Sequence, residues 1–519
     1  MSRQNSEVAP QEGYFERGEF DDQLELVLQR ITDMYLADGI PWVVGYSGGK
    51  DSSAVLQLVW LALERLEAER LHKHVYVIST DTMVENPIVA AWVDQSLERV
   101  QRSADREGIP VSAHKLTPQI EESYWVNLIG RGYPAPRPKF RWCTERMKIK
   151  PANRFISGIV QEHGEAIVVL GTRKAESAAR AHVLNRLEKM SIRDGLRPHT
   201  MMPNSYVYSP IEDWTNDDVW TLLGMVDNPW GHKNEDLLEL YRGANPDREC
   251  PVVVEDGTPS CGDSRFGCWV CTLVAQDKSM SAMIKNDEDK QWMTPLLAIR
   301  DELIPRDNEG YPDDRHLRDF RRMNGRVVLA GERHIPGPYK QDVRETWLRR
   351  VLEAEVQIRK TGPDFFKDIS LISMEELRFI RKIWVNEKHE IEDQLPRIYE
   401  EVTGELFPDD VFTEELPIGH EEIELLRALC DEDELHFQLV RELLSIELQH
   451  RHMAKRGGLF GALEASIRKC FYEDADDAIG RAKEVRERLA KELAKLENID
   501  FLGHIANPDS ELSQKETAQ

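Results

Sequence analysis

The residues with the clearest chemical potential form a glycine-rich stretch, Ser-Gly-Gly-Lys-Asp-Ser, at positions 47–52. An apolar segment typical of a buried strand precedes the stretch, and apolar residues at helical spacing follow it. Glycines let backbone N–H groups approach phosphate oxygens, and the first N–H groups of a helix have no partner inside the helix. The stretch therefore predicts a phosphate cradle. Its members are Ser47, Gly48, Gly49, Lys50, Asp51 and Ser52.

The cradle differs from the common P-loop. That motif has a glycine five residues before its Gly-Lys pair and a Ser or Thr directly after the lysine. This chain has Val44 and Asp51 at those two places. The alternative interpretation is an ordinary glycine-rich turn between a strand and a helix, in which the lysine occurs by chance. Lys50 would add a positive charge to the cradle, and Ser52 would add a hydroxyl.

A second polar run, at residues 171–180, has the sequence Gly-Thr-Arg-Lys-Ala-Glu-Ser-Ala-Ala-Arg. Arg173 and Arg180 can each meet a phosphate with two hydrogen bonds, and Glu176 could hold one of them in place. The alternative is a helix start with ordinary surface ion pairs. Further along, Thr215 and Asp218 have the spacing of a capping box at the start of a helix.

Five of the seven cysteines are candidate metal ligands. Cys261, Cys268 and Cys271 lie in one glycine-rich stretch, Cys250 lies upstream, and Cys143 lies in a basic segment. Two sulfurs two residues apart can reach one metal, and a third nearby favours zinc or an iron–sulfur cluster. The alternative is a set of unligated thiols. Cys430 and Cys470 lie in helical sequence, and we interpret them as buried or inert.

The elements that would position these residues follow an α/β pattern. A helix is predicted at 21–37, and strands are predicted at 42–46, 75–79, 111–116 and 166–170. Asn86 and Pro87 would start another helix. Apolar strands that alternate with helices predict a parallel sheet covered on both faces, and ligands of such sheets bind beyond the carboxyl ends of the strands. The cradle, Asp81 and Gly171 each follow a strand and should converge there.

Charge limits how this chain could meet nucleic acid. The 519 residues include 67 basic and 93 acidic ones, which gives a net charge of −26. Nucleic-acid contact would therefore need a local basic patch or a partner. Residues 131–150 carry seven basic side chains against Glu145 alone, and Tyr133 and Trp142 could offer stacking surfaces. This segment predicts contact with a phosphate-bearing substrate. The alternative is a solvated loop that offsets neighbouring acids.

Composition and length indicate the number of domains and the cellular location. A chain of this length predicts about two to four domains. Reduced cysteines, the absence of an apolar run of about 18 residues and a polar N-terminus favour a cytoplasmic protein with no membrane contact. We predict tails at 1–19 and 507–519, an α/β domain at 20–230, a cysteine-rich segment at 231–285 and a helical region at 286–506. Helical periodicity supports the last of these at 343–359, 374–390, 420–455 and 476–497.

Three motifs together resemble the phosphoadenosine phosphosulfate (PAPS) reductase family over residues 20–230. They are the cradle, the 171–180 run, and the stretch from Pro210 to Trp220. A longer resemblance adds residues 75–88, Arg141-Trp142-Cys143, the cysteine triplet and the helical tail. It points to the sulfurtransferase family of DNA phosphorothioation, the C proteins of the Dnd systems. Two departures from reductases are visible, because Cys143 is followed by Thr144 and no nucleophilic cysteine stands near the C-terminus.

The resemblance implies an adenine nucleotide alpha hydrolase-like fold, ATP pyrophosphatase activity, and ATP, Mg²⁺ and a 4Fe-4S cluster as cofactors. It implies a cysteine desulfurase, DNA and other phosphorothioation subunits as partners. The implied cluster ligands are Cys143, Cys261, Cys268 and Cys271, with Cys250 as a substitute. The implied catalytic residues are Lys50, Asp51, Arg173 and Arg180, with Asp81 and Gly171 added to the cradle for ATP.

The hypothesis from sequence is an enzyme that uses ATP to activate a DNA backbone phosphate and then replaces a non-bridging oxygen with sulfur. One alternative is a PAPS reductase or an RNA-thiolating enzyme. Another is a non-catalytic, ATP-binding assembly subunit.

Overall fold

The computed structural model describes residues 13–138, 140–193, 195–244, 266–306, 313–408, 419–430, 433–451, 453 and 455–505. The chain divides into two compact units. The first contains the described residues within Met1–Asn127, Ala135–Pro305 and Arg349–Glu376. The second contains those within Leu128–Pro134, Arg306–Leu348 and Leu377–Gln519. Cys250 and Cys261 lie outside the described residues.

A six-stranded sheet forms the centre of the first unit, with strand order β3-β2-β1-β4-β6-β5. Its strands are β1 (Trp42–Gly45), β2 (Val75–Thr80), β3 (Val111–Leu116), β4 (Ala166–Val169), β5 (Leu196–Pro198) and β6 (Ser205–Tyr208). All neighbouring pairs are parallel except β5 with β6. Strands β1 and β4 are buried over nearly their whole length, because their Val, Ile and Trp side chains meet helices on both faces.

Helices cover this sheet. They are α1 (Phe20–Leu36), α2 (Lys50–Glu64), α3 (Pro87–Glu107), α4 (Lys150–His163), α5 (Ala178–Glu188), α6 (Asn216–Met225), α7 (Asn234–Gly243), α8 (Lys278–Asn286) and α9 (Thr294–Glu302). Asn86 caps α3 by accepting the Ile88 amide, and Thr215 and Asp218 form the capping box of α6. The predicted α/β class, with a mostly parallel sheet between helices and a helical C-terminal region, is confirmed.

The remaining helices belong wholly or partly to the second unit. They are α10 (Gln341–Thr361), α11 (Met374–Lys382), α12 (Gln394–Thr403), α13 (His420–Leu429), α14 (Glu434–Arg451), α15 (Leu459–Lys469) and α16 (Ala475–Ile505). The predicted helical segment 420–455 contains two helices, α13 and α14. A short antiparallel hairpin, β7 (Val328–Ala330) with β8 (Arg333–Ile335), was not predicted. None of the helices that the structure describes is both long and apolar enough to cross a membrane.

Candidate functional site

The cradle lies between β1 and α2, as the sequence predicts. Gly48 has a φ of +72°, and a Cβ there would lie 2.5 Å from Val93 Cγ2, so both its conformation and its surroundings require glycine. Ser52 Oγ accepts the Ser47 amide at 3.1 Å, and Ser52 also bonds the Gly49 carbonyl at 2.9 Å. Ser52 therefore holds the turn closed, which is a structural role beside the one that its hydroxyl could have toward phosphate.

The start of α2 presents amides toward a possible ligand. Within the described part of the chain, the N–H groups of Gly49 and Asp51 have no hydrogen-bond acceptor. The Lys50 amide donates to the hydroxyl of Tyr241, a residue of α7, at 3.2 Å. Burial raises the pKa of Tyr241 well above its ordinary value, so this hydroxyl stays protonated. The arrangement suits an anion, because helix N-terminal amides carry partial positive charge.

Lys50, Asp51 and Arg173 form one chain of ion pairs. Asp51 Oδ2 lies 2.8 Å from Lys50 Nζ, and Asp51 Oδ1 lies 2.7 Å from Arg173 Nε. Arg173 is 4% exposed and also donates to the Trp214 carbonyl at 3.3 Å. Asp51 thus positions two cations at the start of α2. Both of its oxygens are engaged by these cations, so its predicted role toward Mg²⁺ stays a prediction.

Gly171 permits the close approach of β4 and α2. A Cβ on Gly171 would lie 2.8 Å from the Asp51 carbonyl oxygen and 3.2 Å from the Ser52 nitrogen. Arg173 could not reach Asp51 in this geometry if the two backbones were farther apart. The predicted convergence of the 171–173 loop with the cradle is therefore present in the structure.

Arg180 and Asp81 lie in different settings. Arg180 is exposed on α5 and pairs with Glu176 at 2.7 Å, and Glu176 also accepts the Arg173 amide at 2.9 Å. Asp81 follows β2, where it pairs with Lys115 at 2.9 Å and accepts the Met83 amide at 2.7 Å. Both residues already have partners, so their predicted roles toward nucleotide stay predictions.

The stretch that contains Cys268 and Cys271 lies beside the loop after β2. The stretch around Cys268 pairs with the loop after β2, since Glu85 and Cys268 form a β-bridge and the Trp269 amide donates to the Val84 carbonyl at 3.0 Å. Cys268 Sγ lies 3.3 Å from Thr82 Oγ1. This stretch is therefore held at the edge of the sheet where the cradle also lies, because both follow the carboxyl ends of neighbouring parallel strands.

The thiols affect one another electrostatically. Burial raises the pKa of Cys143, and burial raises the pKa of Cys268 to about 12; the nearby Cys271 raises both further. The Lys148 side chain is 47% exposed; the protein atoms around it oppose its charge, but the charges of Cys268 and Glu85 raise its pKa above the ordinary value. Three soft thiol ligands with a cation beside them fit a thiolate-ligated group.

Cys143, Cys268 and Cys271 would be three of the ligands of such a group. Among the described residues, no three His, Cys, Asp or Glu side chains have the geometry of a metal site. The fourth predicted ligand, Cys261, and its substitute Cys250 lie outside the described residues. The iron–sulfur assignment therefore stays a prediction that the donor set supports.

Three residues that support the site were not predicted. Tyr241 bonds the cradle, as described above. Arg300, on α9, is 1% exposed and donates to the carbonyls of Cys271 at 3.0 Å, Ala275 at 3.0 Å and Val274. His232 stacks on Trp92 at 4.3 Å, and Trp92 Nε1 donates to the Gly48 carbonyl at 3.1 Å. No spacing rule links these positions to their distant partners, so their roles could not be predicted from the sequence.

The basic segment 131–150 does not form the surface that we expected. Trp142 is 6% exposed and stacks on Tyr124 at 5.4 Å, so the prediction that it offers a stacking surface is wrong. Lys148 pairs with Glu85, and Lys150 pairs with Glu122. Residues 131–134 belong to the second unit and 135–150 to the first. The segment therefore supplies ion pairs within the protein in addition to charge at its surface.

Part of the chain is similar to a known protein family. Residues 41–273 match the family model of the phosphoadenosine phosphosulfate reductase domain. The match covers less than half of the chain, so this region is similar to that domain. It contains the cradle, Gly171, Arg173 and all of the cysteines predicted as cluster ligands.

A curated relative is similar to only part of this chain. An uncharacterized protein of Methanocaldococcus jannaschii, MJ0066, is 25% identical over 252 residues, which is 49% of this chain and 40% of that protein. The chain thus spans less than half the length of this relative.

Two solved structures show distant similarity. PAPS reductase from Candida auris, in its phosphate complex, is 14% identical, covering 40% of this chain and 84% of its own, with a TM-score of 0.25. A U34-tRNA thiolase from Methanococcus maripaludis, with its [4Fe-4S] cluster, is 11% identical, covering 54% and 78%, with a TM-score of 0.26. At these TM-scores the two structures give no basis for assigning a cofactor or a substrate to this chain.

Proposed function

We propose that this protein is an ATP-dependent sulfurtransferase that inserts sulfur at a DNA backbone phosphate. One observation carries the proposal: a phosphate cradle and a group of cysteines lie at the same edge of one parallel sheet. The cradle follows β1, and the stretch with Cys268 and Cys271 is paired to the loop after β2, the neighbouring strand. An enzyme that activates an oxygen with ATP and replaces it with sulfur needs both parts within one site.

The first part of the reaction would use the cradle. The β- and γ-phosphates of ATP would accept hydrogen bonds from the amides at the start of α2, and Lys50 would offset their charge. A non-bridging oxygen of DNA would attack the α-phosphorus, whose bond to the bridging oxygen breaks as pyrophosphate leaves. Arg173, held by Asp51, would stabilise charge that develops on the phosphates. The product is a DNA phosphate joined to AMP.

The second part would exchange oxygen for sulfur. A sulfide-level nucleophile attacks the DNA phosphorus, a phosphorus–sulfur bond forms, and AMP leaves with the original oxygen. Cys143, Cys268 and Cys271 would hold a 4Fe-4S cluster, which when bound would supply a sulfur-binding metal site or electrons. These cysteines are only half-buried, and this partial burial would limit the access of water to the place where sulfur is handled. A cysteine desulfurase would supply the sulfur as a persulfide, and a thiol reductant would supply the two electrons that release this sulfur at the sulfide level.

DNA as the acceptor rests on the family resemblance in the sequence. The family-model match favours a second candidate, the reduction of PAPS, which would use the same cradle for the phosphates of a different adenine nucleotide. A thioredoxin-type donor would then supply electrons. The two candidates differ in what they release, because the first yields pyrophosphate and AMP from ATP, whereas the second yields sulfite from PAPS.

The test is pyrophosphate release by anaerobically purified protein given ATP, Mg²⁺ and duplex DNA. We expect Lys50→Ala to lower the rate by about 10²–10³-fold, as for loss of a charge that stabilises a transition state. The matched control, Lys189→Ala, removes an exposed lysine at the end of α5 and should leave the rate unchanged. Equal rates for wild type and Lys50→Ala would refute the assigned role. Sulfite from PAPS would favour the second candidate, and ATP binding without pyrophosphate release would favour an assembly subunit.

A further inference from the structure

The second unit contains a strongly basic stretch that lies outside the PAPS reductase-like domain. Residues 315–340 carry seven basic side chains and two acidic ones, a net charge of +5 in a chain whose net charge is −26. The basic residues are Arg315, Arg318, Arg321, Arg322, Arg326, Arg333 and Lys340. Such a local reversal of sign is what contact with a polyanion requires.

This stretch folds into the two-stranded hairpin of β7 and β8. Val328 pairs with Ile335, and Ala330 pairs with Arg333, so these four side chains share one face. That face is turned to solvent, since Val328 is 42% and Ile335 is 37% exposed. The hairpin is thus a narrow ribbon with a small apolar strip and an arginine on its outer face.

Two of the arginines are buried and hold the base of the ribbon. Arg318 donates to the Gly337 carbonyl at 2.8 Å and to the Pro336 carbonyl at 2.6 Å. Arg321 bonds Asp319 at 2.8 Å and Gln438 of α14 at 2.6 Å. These contacts fix the strand ends to the rest of the second unit.

Other arginines of this basic stretch are exposed to solvent. Arg322 and Arg326 flank a turn that is closed by the Arg322 amide and the Arg326 carbonyl at 2.8 Å. Within the described residues, the guanidinium groups of Arg326 and Arg333 have no acidic partner, whereas exposed arginines such as Arg102, Arg397 and Arg468 each pair with a glutamate on their own helix. Among the described residues, no acidic side chain therefore offsets the positive charges of Arg326 and Arg333.

The one acidic residue at the tip of the hairpin is itself neutralised. Glu332 lies 3.2 Å from Arg486 and 3.7 Å from Lys483, which are both on α16. Arg486 also donates to the Gly331 carbonyl. Glu332 therefore leaves no unpaired negative charge at the tip of the hairpin.

We propose that this basic hairpin binds duplex DNA, with its exposed arginines on backbone phosphates. Arginine contacts to phosphate supply most of the affinity of such interfaces, and the apolar strip suits contact with thymine methyl groups. A two-stranded ribbon fits the major groove of B-form DNA, whereas the major groove of A-form RNA is too narrow to admit one. The inference deepens the proposed function and rests on it for the choice of DNA as the substrate.

The test is binding of the full-length protein to a labelled DNA duplex of about three helical turns, by fluorescence anisotropy at several salt concentrations. The variant is Arg326→Gln with Arg333→Gln. Loss of two phosphate contacts should reduce the slope of log affinity against log salt by about 1.8, and should raise Kd about 10- to 60-fold at 0.1 M salt. The matched control, Arg397→Gln with Arg468→Gln, removes two exposed arginines that pair within α12 and α15. It should bind DNA as wild type does.

Several results would overturn the inference. They are an unchanged slope in the Arg326 and Arg333 variant, an equal loss in the control, or equal affinity for duplex RNA. If the glutamine variant does not fold, Arg326→Lys with Arg333→Lys keeps the charge and should keep the salt slope, and each single glutamine variant should lose half of it. Pyrophosphate release measures the proposed chemistry separately. Hairpin-dependent DNA binding without pyrophosphate release would remove the proposed function and leave the DNA-binding surface.

Discussion

Replacing Gly171 by alanine tests whether the contact between β4 and α2 shapes the cradle. The added Cβ would lie 2.8 Å from the Asp51 carbonyl oxygen and 2.9 Å from its carbon, and ordinary contact begins near 3.4 Å, so the two backbones must separate by about 0.6 Å. Overpacking of this kind costs about 1–3 kcal/mol. The same separation lengthens the 2.7 Å contact between Asp51 and Arg173 and moves the first amides of α2.

The expected result is a lower melting temperature and about tenfold weaker binding of a fluorescent ATP analogue, equivalent to about 1.4 kcal/mol. The matched control is Gly158→Ala in the middle of α4, where a Cβ would meet no atom within 4 Å. That change should leave ATP affinity unaltered and should stabilise the helix by about 0.5–1 kcal/mol. If both variants bind the nucleotide as tightly as the wild type, the reasoning about the cradle is refuted.

Two other predictions concern the supports of the site. Burial, and then the Arg99 cation, lower the pKa of His232 from 6.5 to about 4. The unfolded chain therefore binds a proton that the native state does not, and stability should fall as the pH is lowered from about 6.5 toward about 4. His232→Asn should flatten this part of the stability profile, whereas the exposed His182→Asn should keep it; identical profiles for wild type and His232→Asn would contradict the assignment. Arg300→Met leaves three carbonyls near Cys271 without their donor, at a cost of at least about 3 kcal/mol. In Arg300→Met, the iron and sulfide bound per chain after anaerobic reconstitution should fall well below the wild-type content. The control is Arg350→Met, which breaks an exposed pair with Glu302. It should change stability by about 0–1 kcal/mol and leave the iron content unaltered. Full iron loading of Arg300→Met would show that this residue does not position the cysteine stretch.

Local patterns predicted those parts of the fold that depend on local sequence. The four apolar strands β1 to β4, the Asn86 cap and the Thr215–Asp218 capping box all follow from residues within a few positions of one another. Strand β5 is only three residues long and contains Arg197 and Pro198, and β6 has Val207 as its single aliphatic residue, so neither carried a recognisable strand pattern. Their position is set by pairing with β4 and with each other.

In the candidate site, too, only the features that depend on local sequence could be predicted. The cradle was predictable because a single stretch contains it, and Arg173 was placed correctly because it follows a strand. Tyr241 lies 191 positions from Lys50, and nothing in its own helix shows that its hydroxyl meets the Lys50 amide. Trp142 was interpreted as exposed because its neighbours are basic, yet its indole ring packs on Tyr124. Contacts between distant segments decide both cases, and spacing along the chain does not encode them.

Tyr241 touches two parts of the site at once. Its hydroxyl meets the Lys50 amide, and its ring lies edge-on against Phe266 at 4.7 Å, two residues before Cys268. A phosphate oxygen that took over the Lys50 amide would release this phenol, and the Phe266 ring would lose a fixed neighbour. Under the proposed function, these Tyr241 contacts would couple nucleotide binding at the cradle to metal binding at the thiols, and each ligand should then alter the affinity of the protein for the other by the same factor.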